Sequence, residues 1–171
     1  MVIDIANTND ENDRIRAFAG SDMFEKLFTD GMDLVEATAA YLDGEGRSES
    51  KKLDKVLALQ YASESMRLTT RLMQAASWLL VQRAVREGEM TPTDARDSKY
   101  RIGAKAICLS SRQISSELPA KLLDLLHKSD ALYKRIDRLD NAMFVENAEA
   151  PANPVSEQIQ RLHSAFGFGG K

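Results

Sequence analysis

KKLDKVLALQYASESMRLTTRLMQAASWLLVQRAVRE, residues 51–87, contains neither proline nor glycine and consists mostly of good helix formers. It predicts one helix of about 37 residues, ~55 Å long at 1.5 Å per residue. Wound at ~100° per residue, it shows two faces. The broad face carries Leu57, Tyr61, Ala62, Met66, Leu68, Thr69, Leu72, Met73, Ala76, Leu79, Leu80 and Ala84. That arc is wider than a coiled-coil seam, so it is expected to be core, packed against at least two other helices. The opposite face mixes Leu53 and Val56 with Gln, Glu, Arg, Val and Trp. Trp and Arg are enriched at protein interfaces and among their hot spots. Gln60, Glu64, Arg67, Arg71, Gln74, Trp78, Val81, Gln82 and Val85 are therefore the candidate protein interface, with Trp78 as anchor. Alternatively, this chain's own crossing segment covers Trp78 and Val85.

Totals narrow the class. A chain of 171 residues with 43% apolar content is sized for one domain with a respectable core. A net charge of −3 argues against a dedicated nucleic-acid binder, which would carry a basic stripe. The single cysteine, Cys108, excludes an intramolecular disulfide and fits a reducing compartment. No apolar run approaches the ~20 residues that span a bilayer. The start, MVIDIANTNDENDR, lacks the basic-then-apolar order of a secretory signal. The expected location is the cytoplasm, with no membrane partner.

On the N-terminal side, residues 1–20 are polar and read as a flexible arm. Ser21 or Asp22 caps a helix, with Glu25 at capping-box spacing from Asp22. Phe24, Phe28, Gly31, Val35, Thr38 and Leu42 recur along one side of it. The loop DGEGRSES, residues 43–50, turns the chain back into the long helix. That hairpin predicts Asp22 and Glu25 level with Arg67 and Arg71.

On the C-terminal side, TPTD (residues 91–94) opens a short helix. Residues 100–118 lose periodicity and read as a long connection packed on the bundle, a length that is often functional. Pro119 starts another helix, with Leu122, Leu125, Ser129, Leu132, Ile136, Leu139 and Met143 in heptad rhythm. The linker VENAEAPANP follows, then a last amphipathic stretch with Ile159, Leu162 and Phe166 on one side as a candidate tail contact. The expected architecture is all-α: an antiparallel three-helix bundle with a long central helix, one short extra helix and flexible termini. The divisions are a flexible arm (1–20), a bundle (21–144) and a flexible tail (145–171).

Catalytic and metal patterns are weak. Asp124 and His127 have metal-ligand spacing on a helix, but the other pairs a di-metal bundle needs are missing. Ser48 and Lys51 match a serine–lysine pattern without its companion motifs, and GEGR lacks the glycine spacing of a phosphate loop. The chain is expected to be no enzyme and to need no cofactor or metal.

ESMRLTTRLMQAASWLLVQRAV (64–85), preceded by LFTDGMDLVEATAAYLDGEGR (27–47) and followed by ELPAKLLDLLHKSDALYKRIDRLD (117–140), resembles the RcdA family of bacterial regulators of CtrA degradation. The resemblance covers most of the chain. It implies a homodimeric three-helix bundle without enzymatic activity. It further implies an adaptor for the ClpXP protease that acts with the priming adaptor CpdR and the cyclic-di-GMP-binding protein PopA. Its cargo would include CtrA, and it would gather at the cell pole. Tethering of cargo at a protease needs separate contact surfaces and no catalytic groups. A structural helical dimer or scaffold subunit without a delivery role is the alternative.

Overall fold

Asp54 sets the start of the long helix, its carboxylate accepting the Leu57 N–H at 2.9 Å. The computed structural model describes residues 5–144. In chain order the helices are α1 (Ile5–Ala19), α2 (Asp22–Asp43), α3 (Glu45–Ser50), α4 (Lys55–Arg86), α5 (Pro92–Ala95), α6 (Lys105–Cys108) and α7 (Ala120–Phe144), with a 3-10 turn at Ser98–Tyr100 between α5 and α6. The described residues form no strand. The long central helix is shorter than expected at its start, because residues 51–54 turn the chain from α3 into the Asp54 cap. Ser48 and Lys51 belong to α3 and its cap.

Ser21 caps α2 by accepting the Phe24 N–H at 3.2 Å, and Thr91 caps α5 by accepting the Asp94 N–H at 3.1 Å. Gly88, at φ +76°, takes the left-handed conformation that ends α4. α2 runs antiparallel to α4: Glu25 pairs with Arg86 at one end, and Tyr41 and Tyr61 share a cluster at the other. Glu25 thus sits by the end of α4, about four turns from the expected level of Arg67 and Arg71. α3 takes up part of the loop between α2 and α4, so the register could not be read from loop length. Gly31 lets α2 and α4 come close, since a Cβ there would lie 2.7 Å from Leu79 Cδ1.

α7 lies parallel to α4, with Arg71 bonded to Asp130 and Trp78 bonded to Asp140. The chain between them must therefore return along the bundle. Residues 100–118 make that return. Among the described residues the core forms three clusters: one around Phe24, Leu27, Trp78, Leu79, Tyr133 and Ile136, one around Leu68, Leu72, Leu122 and Leu125, and a third around Ile15, Val81 and Val85.

The N-terminal segment differs from the expected arm. Ile15 and Ala19 are fully buried with Val81, Val85 and Ala95. Phe18 lies 5.7 Å from Phe24 and 6.0 Å from Trp78, ring centre to ring centre. Ile15, Phe18 and Ala19 stand at i, i+3 and i+4, which puts them on one face of α1. The tail, with Ile159, Leu162 and Phe166, lies outside the described residues.

Candidate protein-binding surface

From Gln60 to Val85 the mixed face of α4 is turned inward, against this chain's own segments. Gln60 donates from Nε2 to the Gln113 carbonyl at 3.2 Å and accepts the Ser115 N–H at 3.4 Å. Arg67 donates from Nη1 to the Ser110 carbonyl at 2.8 Å, and Arg71 from Nε to the Cys108 carbonyl at 2.9 Å. Gln74 accepts the Gly103 N–H at 3.0 Å. These polar side chains step down α4 as the crossing segment runs the other way. A connection with one short helix leaves much of its backbone without internal partners, and buried N–H and C=O groups need them. The Gln and Arg residues of this face supply them.

The charges close locally. Glu64 and Arg67, both buried, pair through Arg67 Nε at 2.9 Å. Arg71 reaches Asp130 at 3.0 Å. Burial pushes the Arg71 guanidinium down from its ordinary value; Asp130 acts against this, and neighbouring Arg67 adds to it. Trp78 is 1% exposed beneath Phe18. Val81 and Val85 are covered by α1, and Gln82 is buried too. Of the nine candidate interface residues, only Gln60 and Gln74 are even partly open, and both hold the crossing segment. As drawn from the sequence, this face is an internal one, because the chain had two covers for it: residues 100–118 and α1.

The opposite side of α4 is open. Leu59, Met66, Met73 and Leu80 there are between 52% and 74% exposed, and Val56, in the first turn of the mixed face, is exposed as well. Leu59, Met66, Met73 and Leu80 recur every seventh residue, with the small Ser63, Thr70 and Ser77 between them and Ala84 after the last. The result is a stripe ~32 Å long from Leu59 to Leu80 that drifts about 20° around the helix per repeat. Beside it, between α2 and α4, runs an apolar groove of about 330 Å³ lined by Val35, Thr38, Ala39, Leu42, Leu72, Met73 and Ala76. Met66, Met73 and Leu80 were expected in the core; they face outward because α2, α7 and the crossing segment fill the other arc. Exposed apolar side chains in such a row make this side of α4 a candidate interaction surface.

Residues 15–166 match the family described as "Protein of unknown function (DUF1465)". The chain is also similar to a solved structure, RcdA from Caulobacter crescentus CB15, at 52% identity, covering 77% of this chain and 99% of that one with a TM-score of 0.64. The chain belongs to the RcdA family. No curated protein matches it.

For this RcdA-family chain, the other sequence candidates fall in ordinary places. Asp124 pairs with Lys128 at 2.8 Å rather than with His127. Among the described residues, no three His, Cys, Asp or Glu side chains gather as a metal site would require, and no helix is long and apolar enough to cross a membrane. Cys108 is fully buried next to Tyr133, whose hydroxyl donates to the Gly103 carbonyl. Burial raises both groups above their ordinary pKa values. The surface that sequence reasoning missed, the Leu59–Leu80 stripe, did leave a signal: a seven-residue repeat of large residues alternating with small ones.

Proposed function

We propose that this protein is a non-enzymatic adaptor of the RcdA kind, a homodimer that tethers cargo to a protease. The observation that carries the adaptor reading is the 52% identity to RcdA over 77% of this chain; the exposed stripe of α4, with a large apolar side chain at every seventh residue from Leu59 to Leu80 beside an apolar groove, supports the homodimer. Two copies related by a two-fold axis would lay these stripes against each other antiparallel, each large residue facing the small ones of its partner. A two-fold interface is self-complementary in this way, and small residues let helices approach closely. Full burial of each large side chain contributes roughly 1.5–3 kcal/mol.

Family membership supports the finer reading: delivery of CtrA and other cargo to ClpXP with CpdR and PopA, and recruitment to the cell pole. In this reading the dimer stripe is one contact surface, and the rest of the bundle and the tail residues Ile159, Leu162 and Phe166 remain for partners. The test is reconstituted proteolysis of CtrA by ClpXP, CpdR and PopA. Addition of this chain should accelerate degradation. A dimeric chain that leaves the rate unchanged sinks the adaptor reading and supports the alternative, a structural helical dimer or scaffold subunit, which the stripe favours equally.

A further inference from the structure

Between α4, the crossing segment and the first half of α7 lies a cleft of about 320 Å³. Arg67, Arg71, Arg112 and Lys134 line it. The carboxylates beside them are few. Glu64 is held by Arg67, and Asp130 is divided between Arg71 at 3.0 Å and Lys134 at 2.7 Å. Arg112 is exposed and forms no ion pair among the described residues. The cleft is thus cationic in a chain whose net charge is −3. Arg71 is buried and tied to the Cys108 and Leu126 carbonyls and to Asp130, so it adds positive charge to the floor of the cleft while Arg112 and Lys134 stand at its exposed rim.

The cleft is not uniformly polar. Leu109 and Ile114, on the same stretch as Arg112, are 38% and 37% exposed, and both belong to its lining. A bare inorganic anion would use the cations and leave these side chains idle. A peptide carrying carboxylates around an apolar residue would engage both. We propose that this cleft binds an acidic peptide segment of a partner protein, with carboxylates on the exposed Arg112 and Lys134 and an apolar residue between Leu109 and Ile114. Guanidinium groups favour carboxylates through paired, charge-assisted bonds. This assignment rests on the protein-binding reading above and names the chemistry of one partner.

The test uses the full chain and a fluorescein-labelled Glu-Leu-Glu-Leu-Glu-Leu peptide in fluorescence anisotropy, with Gln-Leu-Gln-Leu-Gln-Leu as control. Saturable binding of the acidic peptide alone is expected, weakened about tenfold in Arg112→Gln plus Lys134→Gln and weakened by added salt. Both positions are exposed, and circular dichroism establishes that the variant folds. Absence of saturable binding, equal binding of the control, or an unchanged affinity in the folded double variant overturns the proposal. Competition by inorganic phosphate, with no effect of Leu109→Ser plus Ile114→Ser, makes the cleft a simple anion site and overturns the peptide assignment. If the peptide fails to bind while cargo delivery is normal, the cleft falls alone. If the peptide binds while delivery is absent, the adaptor reading falls and the cleft stands.

Discussion

The Trp78 indole donates its Nε1–H to Asp140 Oδ1 at 2.9 Å, and both side chains are 1% exposed. Arg101 holds the same carboxylate through Nε at 2.9 Å and Nη2 at 2.8 Å. This cluster ties α4, α7 and the start of the crossing segment together in the core. Asp140→Ala leaves Arg101 and the indole N–H without their acceptor. Loss of one partner of a buried charge pair costs about 3–5 kcal/mol. Trp78→Ala empties a core site at a similar cost of about 3–5 kcal/mol. Urea denaturation should show both as a lowered midpoint. A stable Trp78→Ala chain that only fails to bind partners would restore the Trp to a surface role.

Removal of the α4 side chains that hold the crossing segment should loosen that segment before it loosens the bundle. Arg71→Ala strands the Cys108 carbonyl, and Gln74→Ala strands the Gly103 N–H, each costing about 1–3 kcal/mol if left unsatisfied. Hydrogen exchange should accelerate across residues 103–115 while α2 and the middle of α7 keep their protection. Acceleration spread evenly over the chain would mean the pins act on the whole fold.

Charges placed on the open stripe should break self-association and spare the fold. Met66→Glu and Met73→Glu put carboxylates on side chains that are 73% and 66% exposed in the single chain, so their intrachain cost is small. Analytical ultracentrifugation at micromolar concentration should report a dimer for the parent chain and a monomer for the double variant, with helical circular dichroism unchanged. A dimer that persists in the variant moves the interface elsewhere.

Alkaline conditions should destabilise the fold through Cys108 and Tyr133. Burial, the leading cause in each, raises both folded pKa values, so the folded chain holds protons that the unfolded chain releases. Stability from these groups is complete below the unfolded pKa values. It declines as pH rises from about 8.5 for the thiol and about 10 for the phenol toward the folded values. Thermal melts from pH 7.5 to 10.5 should show a falling midpoint, and Cys108→Ala should flatten the first part of the fall. An identical pH profile in that variant would remove the thiol from the account.

Local chemistry was legible wherever neighbours in sequence decide it. Thr91 with Pro92 starts a short helix, and Pro119 precedes another. The three long helices follow from stripes of apolar residues. Less legible was α1, where Ile15, Phe18 and Ala19 make only a short apolar face in a polar stretch. The register between α2 and α4 was misplaced because α3 changes the length of the turn, so Glu25 meets Arg86 instead of the Arg67 level.

By itself, the sequence determined an all-α chain, its long central helix and the existence of two unlike faces on that helix. Helical periodicity is a local property, so those features were written in residues 51–87. Only the tertiary structure decided which face is inside. The face with Gln60, Arg67, Arg71, Gln74 and Trp78 looked like a surface because its residues are polar or amphipathic. It is interior because the crossing segment needs hydrogen-bond partners for its backbone and Asp140 needs the indole N–H. Met66, Met73 and Leu80 looked like core, and they face outward because the chain has no further helix to cover them among the described residues. Polarity along a helix tells what a face can bond to; the order in which segments return across the bundle decides what it meets.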